Sequence, residues 1–300
     1  MIVALTGGTG FLGRHVLDRL IQHGHAVKAL ARRAQPARNN VEWVAGDLAD
    51  GAALAGLCKG VDAAIHVAGV VNAPDAAGFD AGNRQGTANI AAAAKGAGVT
   101  RFVHVSSLAA TQPQLSVYGA SKAAAEAELA EAGMAARIVR PPGIYGPGDT
   151  ETLDLFRMAA RGVVLLPPRG KASWVHVDDI ARLVVALAEA DEAPALVEAD
   201  DGREGGWTHQ DFAAALGVAL GKRGVAIHAP PWLLNVGAWA DGLVRGKGAK
   251  LTPDRARYIA HPDWTIDTAL RPPPSLWQPL IATPDGLAAT GAWYRRHGLI

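Results

Sequence analysis

Thr6-Gly7-Gly8-Thr9-Gly10-Phe11-Leu12-Gly13 lies between an apolar run, Ile2–Leu5, and an amphipathic stretch that continues to His23. The run reads as a short buried strand, and the apolar spacing after Gly10 reads as a helix. Glycines at 7, 10 and 13 permit the tight turn between them and a close approach of backbone to a pyrophosphate, whose charge then meets the helix N-terminus. A glycine pattern alone says little. Between a strand and a helix it predicts a dinucleotide site.

Outward from this turn, short β-branched runs alternate with alanine-rich helical stretches through the first 140 residues. Strands are predicted at Ile2–Leu5, Ala26–Leu30, Val41–Val44, Ala63–Val67, Arg101–Val105 and Ala136–Val139. Helices are predicted near Phe11–His23, Ala52–Lys59, Gly86–Ala97 and Gly119–Ala132, with Gly24, Gly60, Gly98 and Gly133 as their C-terminal caps. Buried runs alternating with helices predict an α/β fold, a doubly wound parallel sheet with helices on both faces, which is the Rossmann layout. After Pro141-Pro142 the rhythm changes, and seven of the eight tryptophans lie beyond residue 170. Residues 1–142 with about 172–200 are read as the dinucleotide-binding domain. About 143–171 with 201–300 are read as a smaller substrate-binding domain.

Bulk composition narrows the function. Of 300 residues 49% are apolar and 19% charged, which is ordinary globular material. A net charge of +1 gives no electrostatic case for nucleic acid or acidic membrane. The lone Cys58 excludes an internal disulfide, suits a reducing cytosol and is read as packing. No leader is legible, and no run approaches the ~18 apolar residues of a membrane span. A cytoplasmic protein acting on a small molecule is expected.

The predicted second strand runs into Ala31-Arg32-Arg33, where a carboxylate would hold a ribose 2′-hydroxyl. Guanidinium groups suit a 2′-phosphate instead, so NADP is favoured over NAD. Further on, Tyr118 and Lys122 stand four residues apart in Tyr118-Gly119-Ala120-Ser121-Lys122 and share a helix face. A phenol titrates near ~10 in water, and a nearby positive charge favours its ionised form. Such a tyrosine can exchange a proton with a substrate oxygen near neutral pH. With a dinucleotide nearby, this suggests hydride chemistry on an alcohol or ketone.

In order along the chain, these residues resemble the extended short-chain dehydrogenases/reductases. Gly7, Thr9, Gly10, Phe11, Leu12 and Gly13 look like that family's cofactor turn, Asp47 and Leu48 of Gly46-Asp47-Leu48 its adenine contact, and Val67, Ala68 and Gly69 its fourth-strand motif. Asn83 resembles the asparagine that reaches the cofactor. Arg140-Pro141-Pro142-Gly143-Ile144-Tyr145-Gly146-Pro147 and Val175-His176-Val177-Asp178-Asp179 resemble two further signatures. Pro141, Gly143 and Ile144 of the first are read as cofactor contacts. The resemblance implies that Tyr118 is the general acid/base, that Lys122 lowers its pKa and holds the nicotinamide ribose, and that Ser107 hydrogen-bonds the reacting oxygen. Ser106 is the competing serine. It also implies a homodimer of the kind many relatives form, which the alanine-rich Ala120–Ala132 permits.

Within the family, three departures point away from sugar nucleotides. Gly143 stands where those members carry an asparagine, Ala172-Ser173 where many carry an arginine, and only ten residues separate Ser107 from Tyr118. The resemblance is instead to the 3β-hydroxysteroid dehydrogenase and dihydroflavonol reductase branch, which implies reversible oxidation of a secondary alcohol on an apolar or aromatic substrate. A nucleotide-sugar epimerase is the alternative enzyme, and a non-catalytic cofactor sensor the alternative of another class. His66, His104 and His176 are read as satisfied structural histidines, with no residue set at zinc spacing. Asp178 and Asp179 are read as helix N-terminal acids, and the stripe Trp232, Val236, Trp239, Leu243 as core.

Overall fold

All six strands predicted in the first 140 residues form, and a later seventh joins them in one parallel sheet. The computed structural model describes residues 1–222, 225–230, 239 and 252–300. The strands are β1 (Ile2–Thr6), β2 (Ala26–Ala31), β3 (Val41–Ala45), β4 (Ala63–His66), β5 (Arg101–Val105), β6 (Ala136–Arg140) and β7 (Leu196–Glu198), ordered β7-β6-β5-β4-β1-β2-β3. The order reverses direction between β1 and β4, the switch point beside which ligands bind in such sheets. Because every strand is parallel, the residues that follow β1, β2, β3, β4 and β5 emerge at one edge. The glycine turn, Arg32-Arg33, Asp47-Leu48, Val67–Gly69 and Ser106-Ser107 are gathered there by topology alone.

Helices α1 (Phe11–Gln22), α2 (Gly51–Cys58), α3 (Gly86–Gly96), α4 (Val117–Glu131) and α5 (Val177–Glu189) connect the strands. α1 buries Leu12, Val16, Leu17 and Leu20, the apolar stripe of a helix lying on a sheet. Each such burial contributes about 1.5–3 kcal/mol. Ala4, Leu54, Leu57, Ile90, Phe102 and Leu129 form a second buried cluster that unites α2, α3 and α4 with the strands. Gly24, Gly60, Gly98 and Gly133 all have left-handed φ after their helices, as the caps predicted from sequence require. Cys58 is fully buried and its thiol is pushed up to about 11 by burial, against the opposing charge of Lys28, so it packs and does not react.

Two compact units are distinguishable. One comprises Met1–Pro141, Ile180–Glu198 and Leu270–Gln278; the other comprises Pro142–Asp179, Ala199–Ala269 and Pro279–Ile300. The second unit has its own core of Tyr145, Phe156, Leu216, Leu287 and Tyr294. In it, strand Gly143–Tyr145 pairs with Trp174–His176, and Val163–Leu166 pairs with Val225–His228. Asp179 sits in the first turn of α5 as predicted, and its carboxylate also accepts from the amides of Leu280 (3.1 Å) and Ile281 (3.0 Å). The predicted tryptophan stripe fares differently. Trp239 is 67% exposed, because helical spacing marks an apolar face without supplying a partner for it; Trp232, Val236 and Leu243 lie outside the described residues. No helix among the described residues is long and apolar enough to cross a membrane.

The turn after β1 has no slack. A Cβ built on Gly13 would stand 1.9 Å from the carbonyl oxygen of Gly7. Gly13→Ala is therefore expected to lower stability by about 1–3 kcal/mol. Urea denaturation checks this, and an unchanged midpoint would show that the helix can move off the turn.

Candidate active site

Gly7 has φ +77°, and a Cβ there would lie 2.6 Å from the amide nitrogen of Ala68. The β1 turn is thus pressed against Val67-Ala68, the residues that leave β4. Gly10 is the N-cap of α1 and brings no side-chain cap, so no side chain takes the first-turn amides. Thr9 is exposed at this turn, Phe11 packs edge-on to His15, and Leu12 anchors the helix in the core. An open helix N-terminus over a cradle that a single Cβ would fill is a fit for a pyrophosphate.

Beneath the turn, Thr6 Oγ1 accepts from the Ala68 amide (3.3 Å) and bonds His66 Nδ1 (2.6 Å), while His66 Nε2 bonds Thr87 Oγ1 (3.0 Å). His66 is thus satisfied, as predicted. Burial drives its pKa to about 3, with the charge of Lys122 adding to the effect, so it is neutral. His104, its stacked neighbour on β5 at 5.2 Å, does not meet the expectation: it is fully buried and neither ring nitrogen has a hydrogen-bond partner among the described residues. A strand between two others places side chains by register, and this register sets His104 beside His66, whose own ring nitrogens are already taken by Thr6 and Thr87.

Asn83 lies in a π-helical segment, Asp80–Gln85, that precedes α3 and was not anticipated from sequence. The wide turn aims its amide back at the strand exit. Val70 N–H donates to Asn83 Oδ1 (2.8 Å), and Asn83 Nδ2 donates to Val70 O (3.0 Å) and to Ser121 Oγ (2.8 Å). With 1% exposure and both amide hydrogens engaged by protein, Asn83 acts on the site by holding the β4 exit and, through Ser121, helix α4.

Helix α4 carries Tyr118 and Lys122. Ser116 caps it by accepting from the Gly119 amide (3.0 Å). A Cβ at Gly119 would be 2.7 Å from the Ala109 carbonyl, so only glycine lets the first turn approach the loop that bears Ser107. Ser107 Oγ accepts from the Ala109 amide (3.2 Å), and its own O–H has no acceptor among the described residues. It is a positioned hydrogen-bond donor. Ser106 is otherwise employed: its hydroxyl donates to Glu126 Oε1 at 2.5 Å. The half-buried Tyr118 ring packs against Phe79 at 6.2 Å. Lys122 is only 4% exposed, donates to the Val105 carbonyl (2.9 Å), and places Nζ 3.9 Å from where a Cβ on Gly69 would be.

One residue that sequence reading passed over completes the arrangement. Glu126 stands one helical turn beyond Lys122, on the same stripe as Tyr118, and accepts from Arg140 Nε (2.9 Å) and Nη2 (2.6 Å). Arg140 also faces Glu198 at 3.5 Å. Burial drags the Lys122 pKa down to about 8, and the Glu126 carboxylate opposes that fall. The stripe spacing was the available signal.

Arg32 and Arg33 are exposed just beyond β2, and neither pairs with a carboxylate among the described residues. Asp47 accepts from the Ala49 amide (2.8 Å), and Leu48 packs where α3 begins, against Gly86. Pro141 ends β6 and its carbonyl accepts from Leu108 N–H (2.9 Å). Gly143 and Ile144 belong to the second unit, where a Cβ on Gly143 would stand 2.6 Å from the Trp174 ring.

Known proteins share this scaffold. The model of the NAD dependent epimerase/dehydratase family matches residues 3–198. The chain is 40% identical over 309 aligned residues to the ceramide reductase of Caulobacter vibrioides (strain NA1000 / CB15N), covering 99% of this chain and 95% of that protein. It is 31% identical over 210 residues to a 3 beta-hydroxysteroid dehydrogenase/Delta 5-->4-isomerase of Mycobacterium tuberculosis (strain ATCC 25618 / H37Rv), covering 58% and 57%. Among solved structures, Bordetella bronchiseptica WbmG in complex with NAD superimposes with a TM-score of 0.77 at 19% identity, covering 100% of this chain and 95% of that one. UDP-N-acetylglucosamine 4-epimerase from Bacillus cereus does so at 0.74 and 18%, covering 98% and 99%. At such identities the structures speak for the fold.

Glu126→Gln removes the charge that opposes Lys122 deprotonation. The alkaline limb of the pH–rate profile is expected to move down by about one unit, a tenfold loss on that limb. An unmoved limb in a folded variant would show that Glu126 does not act on Lys122.

Proposed function

The chain belongs to the NAD dependent epimerase/dehydratase family, among the extended short-chain dehydrogenases/reductases, and from that premise we propose that it is an NADP(H)-dependent reductase of a long-chain, ceramide-type ketone. Full-length likeness to a ceramide reductase carries the reading. A ceramide bears a secondary alcohol on its long-chain base, and in this reading the ketone corresponding to that alcohol is the substrate of this chain.

The residues suit ketone reduction. Ser107 donates its unclaimed O–H to the substrate carbonyl oxygen and orients it. Tyr118 gives its phenolic proton to that oxygen as it becomes an alkoxide, so ketone, hydride and proton together yield the secondary alcohol. Lys122, held against the Val105 carbonyl, brings a positive charge beside the tyrosinate. The dinucleotide, when bound, supplies the hydride. Arg32 and Arg33, exposed beyond β2 and paired with no carboxylate among the described residues, are the groups for a 2′-phosphate.

A sugar-nucleotide reading is disfavoured by packing. The Trp174 ring occupies the space an asparagine at 143 would need. Lys171, the nearest cation to the place of the absent arginine, is paired with Asp263 at 3.1 Å. In this reading the first unit takes the dinucleotide and the second selects the substrate.

The test is NADPH oxidation with the keto form of an N-acylated long-chain base, alongside UDP-glucose and UDP-N-acetylglucosamine. Turnover of the ketone alone is expected; epimerisation of a UDP-sugar with the ketone untouched would overturn the assignment. Tyr118→Phe should lose about 10²–10⁴-fold in kcat while still binding NADPH. Replacing Arg32 and Arg33 with alanine should weaken NADPH binding by roughly 1.5–3 kcal/mol and leave NADH unaffected, read by fluorescence titration.

A further inference from the structure

At the far end of α1 from the glycine turn, about 18 Å along a twelve-residue helix, three side chains converge that the redox chemistry does not use. His23 Nδ1 and His25 Nε2 reach the same carboxylate oxygen of Glu189, at 2.8 and 2.7 Å. One ligand atom from each residue lies within 4.8 Å of the others. We infer that His23, His25 and Glu189 form a binding site for a borderline divalent transition-metal ion, with Zn²⁺ as its type.

Donor chemistry chooses the class of ion. Two imidazole nitrogens and one carboxylate oxygen suit Zn²⁺ and its neighbours, whereas Ca²⁺ and Mg²⁺ take all-oxygen shells. Zinc ligands at ~2.0–2.1 Å in a tetrahedron stand roughly 3.3 Å apart. The two imidazole–carboxylate pairs, at 2.8 and 2.7 Å, therefore open by roughly half an ångström, and the two ring nitrogens, within 4.8 Å of each other, close by at most about 1.5 Å, which rotation of the His23 ring can supply. Two features hold the rest of the site in place. Gly24, at φ +78°, reverses the chain so that both rings fall on one side, with centroids 6.3 Å apart. Glu189 ends α5, and that helix end is clamped from the sheet: Arg101 donates to the Glu189 carbonyl (3.2 Å) and Arg137 to the carbonyls of Leu187 and Ala190. The carboxylate thus projects from a fixed point toward a buried His25, and a water completes the shell.

Such an ion would tie the turn between α1 and β2 to the end of α5, far from the hydride chemistry. It would act on stability and not on turnover. The sequence showed no zinc spacing because the third ligand comes 164 residues after the second.

Calorimetric titration of the metal-stripped full chain with Zn²⁺ tests the proposal. One equivalent is expected to bind, with affinity weakened at least about tenfold in His23→Ala and in Glu189→Gln. The His23 side chain is 42% exposed and outside the buried core, so its variant is expected to fold. Co²⁺ should give the d–d absorption bands of a four-coordinate site in the natural chain and lose them in both variants. Titration curves equal in all three proteins would overturn the site and leave Glu189 as a hydrogen-bond acceptor only.

Discussion

The site depends on keeping an ammonium charged where burial opposes it. Lys122 is almost wholly shielded from water, and removing an ammonium from water costs several kcal/mol unless partners replace the hydration. The Val105 carbonyl takes one of its protons, and Glu126 supplies negative potential from one turn away without touching it. The strands behind it contribute polarity without competing charge. Burial holds both His66 and His104 neutral, and Lys122 pushes each further in that direction. Electrostatic coupling is mutual, so two neutral rings put no competing positive charge beside the ammonium.

This requirement explains features of the fold that lie away from the reacting atoms. Glu126 is itself half-buried and needs compensation, which comes from the two-pronged grip of Arg140 at the end of β6. Arg140 in turn faces Glu198 on β7, a strand contributed from far later in the chain. Signs alternate from Lys122 through Glu126 and Arg140 to Glu198, so α4 is bound to β6 and β7 by neutralised charge. The adjacent serines divide their labour for the same reason. Ser106 is drawn into the carboxylate network, which leaves Ser107 with a hydroxyl proton to offer.

What was legible in the sequence was local. Strand periods, glycine caps, the Gly7–Gly13 turn and the Tyr118/Lys122 pair each depend on residues within a few positions of one another, and the parallel topology then carries them to one edge. What was illegible depends on pairs distant in sequence. Glu126 was on the right stripe, but its partner Arg140 lies across the sheet. The π-helical turn at Asn83 has no compositional mark, and the amides that Asp179 receives come from about a hundred residues away. His104 read as satisfied because a buried histidine usually is; the structure leaves both its ring nitrogens without a hydrogen-bond partner among the described residues.

The departure at Gly143 began as a missing polar residue and becomes, in the structure, a packing rule. Trp174 stacks on Phe212 at 4.1 Å with an 11° interplanar angle, and its ring takes the volume beside Gly143. An asparagine could be restored there only if the tryptophan were made smaller, which would break the stack and open the core around Phe212, Trp207 and Leu216. Positions 143 and 174 are therefore chosen together. Absence of a side chain at 143 and presence of the aromatic stack at 174 are one packing solution, so a single substitution at 143 meets the Trp174 ring. The residue allowed at 143 is thus decided in the interior of the second unit, by the side chains that hold that unit together.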